Sequence, residues 1–578
     1  MAAPLPVAAA ATTRLPARWK IAPPVEAAAL AQALGLTLPA ARVLMGRGYT
    51  DVASATAFLR PHVGQLHSPA LLAGVPEAAE RLQAAIAGGE KILLYGDYDV
   101  DGTLAVVILT KVIEVCGGRS EFHVPHRLKE GYGMRPEVVE RAAAEGVKLI
   151  ISVDTGIRAG DVVRHATALG IECIVTDHHL PEAELPPALA VVNPNRPDCT
   201  YPNKDLCGAA VAFKLGMALM ERQGWPEAKV ARMADSFLKL VAIATVADVV
   251  SLKGENRAIV KLGLSGFGSI HNPGLRALLK VAGIEEGAAP SVRQVGFQIG
   301  PRINAAGRME SARQVVELFL TSDAGRAAEI AKELDDLNIE RRETEKRILE
   351  EILASVDPAR AGLVLAGEGW HRGVVGIVAS RVVERFHRPV FVLEIDRDEG
   401  VARGSGRSIE AFHLLDALES MPELFQKFGG HSHAAGLTLG LEQLPEFRER
   451  FNAYAWTKLT PDDFRAEVRI DAEARASEVN ERAAEDIWSL GPFGMGNPQP
   501  VLMLRGLRVV GTTPLGSSGK HFKVKMEQNG SHVMAKAWSF DERLAEIAPG
   551  AMVDVAVTLE EDSYSKWSMV LRDVRPAS

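Results

Sequence analysis

Four short segments carry carboxylates, and in one case paired imidazoles, at spacings that suit divalent-metal chemistry. Residues 95–102 (YGDYDVDG) hold Asp97, Asp99 and Asp101, and residues 153–156 (VDTG) hold Asp154. Residues 176–179 (TDHH) hold Asp177, His178 and His179, and residues 244–250 (ATVADVV) hold Asp248. Any one of these aspartates alone reads as a helix cap or turn residue. Brought together they repel, and burying such a group costs several kcal/mol per ion unless a cation neutralises it. Oxygen ligands with an imidazole suit Mg²⁺ or Mn²⁺, and the imidazole favours Mn²⁺. More carboxylates than one ion uses point to two ions about 4 Å apart, the arrangement of two-metal phosphoester hydrolysis. The D-x-D-x-D-G run also resembles an EF-hand opening. Its twelfth position is Ile108, however, and a strand pattern precedes it where an EF-hand has a helix.

These groups must be positioned by the elements between them. From about residue 91 to 195, short apolar runs alternate with amphipathic stretches. Strands are expected at 91–95, 121–124, 148–153, 171–175 and 189–192, and helices at 103–115, 136–145 and 159–169. That alternation means βαβ units and a parallel sheet, whose ligands gather at the carboxyl ends of the strands. Three of the four acidic segments directly follow such a strand. Residues 205–320 read as mostly helical. Residues 329–355 lack Gly and Pro and mix both charge signs densely, which predicts a long solvated helix bridging two lobes. A second α/β lobe follows. After the Pro/Gly-rich stretch 491–500, a strand-rich C-terminus begins. In residues 520–526 (KHFKVKM), Lys520, Phe522, Val524 and Met526 alternate with His521, Lys523 and Lys525. Period two predicts a barrel strand with an apolar inside and a basic outside that could face a nucleic-acid strand.

The chain has 578 residues, for which a prior of roughly 150 per domain suggests three or four domains. Hydrophobic residues at 47% and charged residues at 24% exclude disorder as the main state. Lys+Arg 65 against Asp+Glu 73 leaves a formal net charge of −8, which excludes a uniformly basic coat but not a local basic groove. Four cysteines cannot build a disulfide framework. Cys116 and Cys173 read as core, and Cys199 and Cys207 lack zinc-ligand spacing. The Ala-rich first twenty residues lack the basic and strongly apolar regions of a signal peptide. No segment reaches the roughly 18 uncharged apolar residues of a membrane helix. A cytoplasmic location fits this usage.

In order and spacing the four acidic segments resemble the motifs of the DHH phosphoesterase superfamily, and within it the RecJ family of single-strand-specific DNA exonucleases. The resemblance continues through 299–309 (IGPRINAAGRM), 369–381 (GWHRGVVGIVASR), 404–408 (GSGRS) and 429–436 (GGHSHAAG), and from about 466 it extends to an oligonucleotide-binding (OB) barrel. It departs at Thr155, where Asn or Cys is commoner; this is not a ligand position.

The resemblance implies an N-terminal extension over 1–40, a DHH phosphoesterase domain over 41–325 and a connecting helix over 326–356. A DHH-associated domain over 357–460 and an OB-like barrel over 461–578 complete the expected order. It further implies that Asp101, Asp154, His178 and Asp248 surround one ion, and that Asp97, Asp99 and the shared Asp154 hold a second. His179 would stand beside the scissile phosphate as a hydrogen-bond donor or proton source. Arg302, Asn304 and Arg308, then Arg407 and Ser408, then His431 and His433, form compact sets of phosphate donors among small residues that permit close approach. The activity implied is 5′→3′ hydrolysis of single-stranded DNA in repair, recombination and mismatch repair, in a groove between the two α/β lobes that admits one strand. A monomer, a single-strand-binding protein and a RecQ-type helicase as partners, and no membrane association, belong to the same expectation. Two rivals are a DHH phosphodiesterase of short oligonucleotides, cyclic dinucleotides or pyrophosphate, which needs no barrel, and a non-catalytic strand-binding scaffold, in which ligand carboxylates should be lost.

Overall fold

The structure is a computed structural model and describes residues 17–127, 129–562 and 564–577. The first sixteen residues, most of the stretch read against a signal peptide, lie outside the described residues. Contacts divide the chain into two compact units. One is Arg60–Arg341 with Pro492–Pro498; the other comprises the described residues up to Leu59, Arg342–Gly491 and those from Gln499 onward.

The first unit is built on a five-stranded, wholly parallel sheet. In spatial order its strands are Ser120–His123, Lys91–Tyr95, Val147–Val153, Glu172–Thr176 and Ala190–Val192. The three central strands are nearly continuous apolar runs because helices cover both faces. Leu94, Leu149, Ile151 and Ile174 pack against the helix Val100–Val115 and its neighbours on one face. Leu93, Ile150 and Cys173 pack with Val139 and Val163 of the helices Pro136–Ala144 and Gly160–Ala168 on the other. All strands run the same way, so the acidic segments 95–102, 153–156 and 176–179 emerge along one edge. Helices Gly208–Arg222, Glu227–Ala247 and Gly254–Ser265 follow in the same unit, and Asp248 is the C-cap of the second of them.

In the second unit, the strands Lys427–Gly430, Ala434–Gly440, Val401–Arg407, Val390–Asp396 and Leu363–Glu368 form a mixed sheet in that order. Phe391, Phe412, Phe447 and Phe451 pack edge to face in its core. A closed barrel follows, made of Leu502–Pro514, Phe522–Gln528, Ser531–Ala537, Lys566–Pro576 and Met552–Asp562. It is sealed by the pairing of the first and last of these. Phe522, Val524 and Met526 are buried inside it while Lys523 and Lys525 are exposed. Lys520 departs from the alternation, because the strand starts only at Phe522 and Lys520 stays exposed in the preceding turn.

Residues 17–59 group with the second unit. The strand Arg18–Ile21 pairs in parallel with Glu467–Ile470, and Arg47 pairs with Asp471 at 2.7 Å. Arg47 and Asp471 are 424 positions apart, a separation that no local pattern reveals. Of the 32-residue helix Ala324–Ser355, the part up to Arg341 belongs to the first unit and the part from Arg342 to the second. All four cysteines are free and buried. No single helix among the described residues is long and apolar enough to cross a membrane.

Candidate metal centre

The turn after the Lys91–Tyr95 strand runs directly into the helix Val100–Val115. Asp99 is that helix's N-cap, its Oδ1 accepting from Gly102 N at 3.0 Å, and Asp101 lies in the first turn. A carboxylate at this end is favoured by the helix dipole. Asp101 is 1% exposed and accepts from Gly208 N at 2.5 Å and Ala209 N at 2.8 Å, the N-terminus of a second helix. Asp154 is 2% exposed and adopts φ +60°, a left-handed conformation that Asp tolerates better than most residues. A Cβ on Gly208 would lie 2.7 Å from Asp154 Oδ1, so only glycine lets the two elements approach this closely. Val249, next to Asp248, also holds a positive φ, +59°, which for a β-branched residue is a genuine strain.

His178 Nε2 lies 3.2 Å from Asp154 Oδ1, 3.7 Å from Asp248 Oδ2 and 3.8 Å from Asp101 Oδ2. Ligand atoms of Asp101, His178 and Asp248 fall within 4.8 Å of one another, as do those of Asp97, Asp99 and Asp154, and those of Asp154, His178 and His179. Asp97 Oδ1, Asp154 Oδ1, His178 Nε2 and Asp248 Oδ2 are buried without a hydrogen-bond partner. Orphaned polar atoms in a native site call for an explanation, and an oxygen-rich set with one imidazole is the donor chemistry of Mn²⁺ or Mg²⁺. The residues present therefore fit divalent ions.

Electrostatics agree. Burial, and next the charge of Asp99, push Asp97 well above the usual carboxylate range. Burial, then Asp101 and Asp99, do the same to Asp154. Burial, then Asp101 and Asp99, push Asp248 up to about 9. His178 is lowered, chiefly by burial, which keeps its imidazole neutral and able to ligate.

Asp177 is fully buried but fully engaged. It accepts from Ile157 N at 2.9 Å, His178 N at 2.8 Å and His179 N at 3.1 Å, and lies 2.7 Å from His179 Nδ1. Burial pulls His179 down, but the Asp177 bond and charge outweigh it and the net shift is upward.

The expected phosphate donors divide. Arg302 pairs with Asp335 at 2.8 Å, and Asn304 Oδ1 accepts from Val100 N at 3.2 Å. Both stand on the helix Gly300–Met309, which follows the π turn Val295–Ile299, a local widening common at functional sites. Asn304 thus steadies the acidic turn itself, and Arg308 bears electrostatically on Tyr98 within that turn. Arg407, Ser408, His431 and His433 gather in the other unit. Ser408 Oγ donates to Phe412 O, Arg407 Nη1 donates to Gly406 O, and both histidines are exposed. His521 is tied down, accepting from Ser539 N and packing edge-on against Trp538.

Two neighbours of the cluster escaped the sequence reading. The Arg127 guanidinium stacks over Tyr98 at 4.8 Å, and its charge pulls Asp97 partly back down. Tyr132 Oη lies 3.3 Å from His179 Nδ1 and 3.4 Å from the Asp154 carbonyl. The glycines flanking Tyr132 between a strand and a helix were its only visible signal.

Comparison with known proteins accords with this architecture. Family models match residues 91–245 (DHH family, N-terminal domain), 360–457 (DHHA1 domain) and 470–570 (RecJ OB domain). The single-stranded-DNA-specific exonuclease RecJ of Bacillus subtilis is 36% identical over 95% of this chain and 69% of its own length. Those of Dickeya dadantii and Escherichia coli are 40% and 38% identical, over 82% and 81% of this chain and 84% of each relative. The crystal structure of RecJ in complex with Mn²⁺ from Thermus thermophilus superposes with a TM-score of 0.82 at 32% identity, over 97% of this chain and 80% of that one. The chain belongs to the RecJ family of DHH phosphoesterases.

Proposed function

We propose that the chain is a metal-dependent, single-stranded-DNA-specific exonuclease that hydrolyses phosphodiester bonds in DNA repair and recombination. The observation that carries this reading is the convergence of four buried, orphaned ligand atoms on Asp97, Asp154, His178 and Asp248, in a chain homologous to exonucleases over most of its length. Relatives of known structure were solved with Mn²⁺ and with Mg²⁺, and these are the ions the reading assigns here. Asp101, Asp154, His178 and Asp248 would hold one ion; Asp97, Asp99 and Asp154 would hold the other. Bound there, two such ions would supply Lewis-acid activation of water and would offset developing negative charge.

The chain's own groups supply the rest. Backbone N–H groups of Gly208 and Ala209 aim Asp101, and the Asp99 cap fixes the acidic turn against its helix. Asp177 accepts Nδ1–H of His179, which turns Nε2 outward as the hydrogen-bond donor or acid toward a phosphate oxygen. Arg302, Arg308, Arg407, Ser408, His431 and His433 contact strand phosphates in this reading, and Lys523 and Lys525 contact a strand passing the barrel. Its finer parts are 5′→3′ polarity, a monomer in the cytoplasm, and a single-strand-binding protein and RecQ-type helicase as partners. Degradation of a single strand labelled at its 5′ end tests the core. Release of labelled mononucleotide that requires Mn²⁺ or Mg²⁺ and spares a duplex is expected; metal-independent or duplex-preferring release overturns it.

A further inference from the structure

A cavity of about 280 Å³ lies at the open edge of the parallel sheet, beside the edge strand Ser120–His123. Its apolar lining is Leu93, Phe122, Val138 and Val147, and its cationic lining is Arg141 and Arg313. Glu121 and Glu145 also line it, and both are exposed to solvent, which screens their charge. The Arg313 guanidinium stacks over the Phe122 ring at 4.9 Å while Nε reaches Glu317 at 2.9 Å. Arg141 pairs with no carboxylate among the described residues; its side-chain partner is His123, with Nη2 3.5 Å from Nδ1. The other ring nitrogen of His123 lies 3.0 Å from Glu130 Oε2. With Nε2–H given to Glu130, the imidazole is neutral and Nδ1 accepts from Arg141. Glu130, His123 and Arg141 thus form a relay that aims a guanidinium carrying further N–H donors. Burial holds His123 in its neutral form against the pull of Glu130, and the fields of Arg141 and Arg313 add to it.

We propose that this cavity binds a phosphate-bearing anion, a nucleoside monophosphate, with the phosphate on Arg141 and the base against Phe122, Leu93 and Val138. A guanidinium fork matches phosphate geometry, and the apolar lining offers a base a surface to lie against. Such a molecule is the product of the exonuclease reading, so the proposal rests on that reading for its source of ligand and on the cavity for its chemistry. Hydrogen bonds join the relay to the segments that carry the metal centre. Glu130 also accepts from His126 N at 2.8 Å within the segment that carries Arg127 and Tyr132, and Gly96 N, beside Asp97, donates to His123 O at 2.9 Å.

The test is equilibrium dialysis of the full chain with radiolabelled deoxynucleoside 5′-monophosphate in EDTA, where no metal can recruit the phosphate. Saturable binding is expected, weakened at least tenfold by Arg141→Ala, partly restored by Arg141→Lys and unchanged by Asp154→Asn. Inorganic phosphate should compete, and the unphosphorylated nucleoside should bind at least tenfold more weakly. Absent binding, indifference to Arg141→Ala, or loss in Asp154→Asn overturns the proposal. So does binding of a long non-hydrolysable strand alone, which would make this a backbone contact. Arg141→Ala should degrade single strands within about twofold of the parent rate, so this assay and the nuclease assay fail independently.

Discussion

Asp177 Oδ1 lies 2.7 Å from His179 Nδ1, and the same carboxylate accepts three backbone N–H groups, so the imidazole is anchored to a fully buried, fully satisfied anion. The carboxylate is itself held below the usual range. Burial opposes this, but the His179 bond and the backbone donors outweigh it. In the proposed reaction Asp177 would act through His179, since its oxygens are taken up by these bonds.

Asp177→Asn should lower the rate about 10- to 100-fold while leaving the Mn²⁺ concentration for half-maximal activity within about threefold, because an orienting partner is lost but no ligand is. The sign of the pH effect follows from the raised pKa of His179: without the Asp177 charge that pKa falls. The pH above which activity declines should then move to lower values. A pH–rate profile of the variant that overlays the parent's would show that His179 is not the group limiting the alkaline side.

Asp154 separates charge from backbone conformation. Asp154→Asn keeps a residue type that tolerates φ +60°, whereas Asp154→Ala adds a left-handed strain of roughly 1–2 kcal/mol. Both should abolish metal-dependent hydrolysis. Without metal, the Asn variant should melt higher than the parent, because the parent must either keep a repelling charge there or take up a proton on folding, and Asn does neither. The Ala variant should melt below the Asn variant. Equal melting temperatures for the two would refute the strain, and strand hydrolysis by either would refute the ligand role.

Metal and pH should act against each other on stability. Asp248 is raised to about 9 in the fold, above its ordinary carboxylate value, so its folded form prefers the proton. Its contribution is most favourable below about pH 4 and is lost as pH climbs through about 9. Ions compete with that proton. Mn²⁺ should therefore raise the melting temperature more at pH 8 than at pH 6; at either pH a hundredfold excess over the dissociation constant that holds there is equivalent to about 2.7 kcal/mol. Thermal scans with and without Mn²⁺ at both values decide this; a larger gain at pH 6 reverses the sign and removes the carboxylates from the site.

How much of this was legible in the sequence depended on the range of the interaction. Runs such as residues 91–95 and 148–153 announce buried parallel strands by composition alone, and once the strands are parallel, Asp97, Asp154 and Asp177 must share an edge. Asp101 is different: its partners Gly208 and Ala209 lie 107 and 108 residues away, and no period in either segment encodes the contact. Asn304 reads as a phosphate donor from its neighbours in PRINAAGR, yet its carbonyl meets Val100 N 204 residues earlier. The strand Arg18–Ile21 is unreadable for the same reason, since the strand it pairs with is residues 467–470. Local chemistry singles out these residues, and tertiary contacts decide what several of them touch.

Lys523 and Lys525 point outward from a barrel strand whose alternate residues Phe522, Val524 and Met526 fill the interior, so both can be changed without touching the core. If they meet strand phosphates, each releases counterions on binding, and the slope of log K against log salt for single strands should shrink by roughly 0.7 per lysine removed. Lys523→Ala with Lys525→Ala should raise the KM for a long strand several-fold at moderate salt and leave the maximal rate nearly unchanged, since no group at the metal centre is altered. Hydrolysis of a dinucleotide, which has only its scissile phosphate to offer, should be unaffected. An equal loss on both substrates would indicate damage to the barrel's fold, and an unchanged salt slope would return these lysines to ordinary solvated surface.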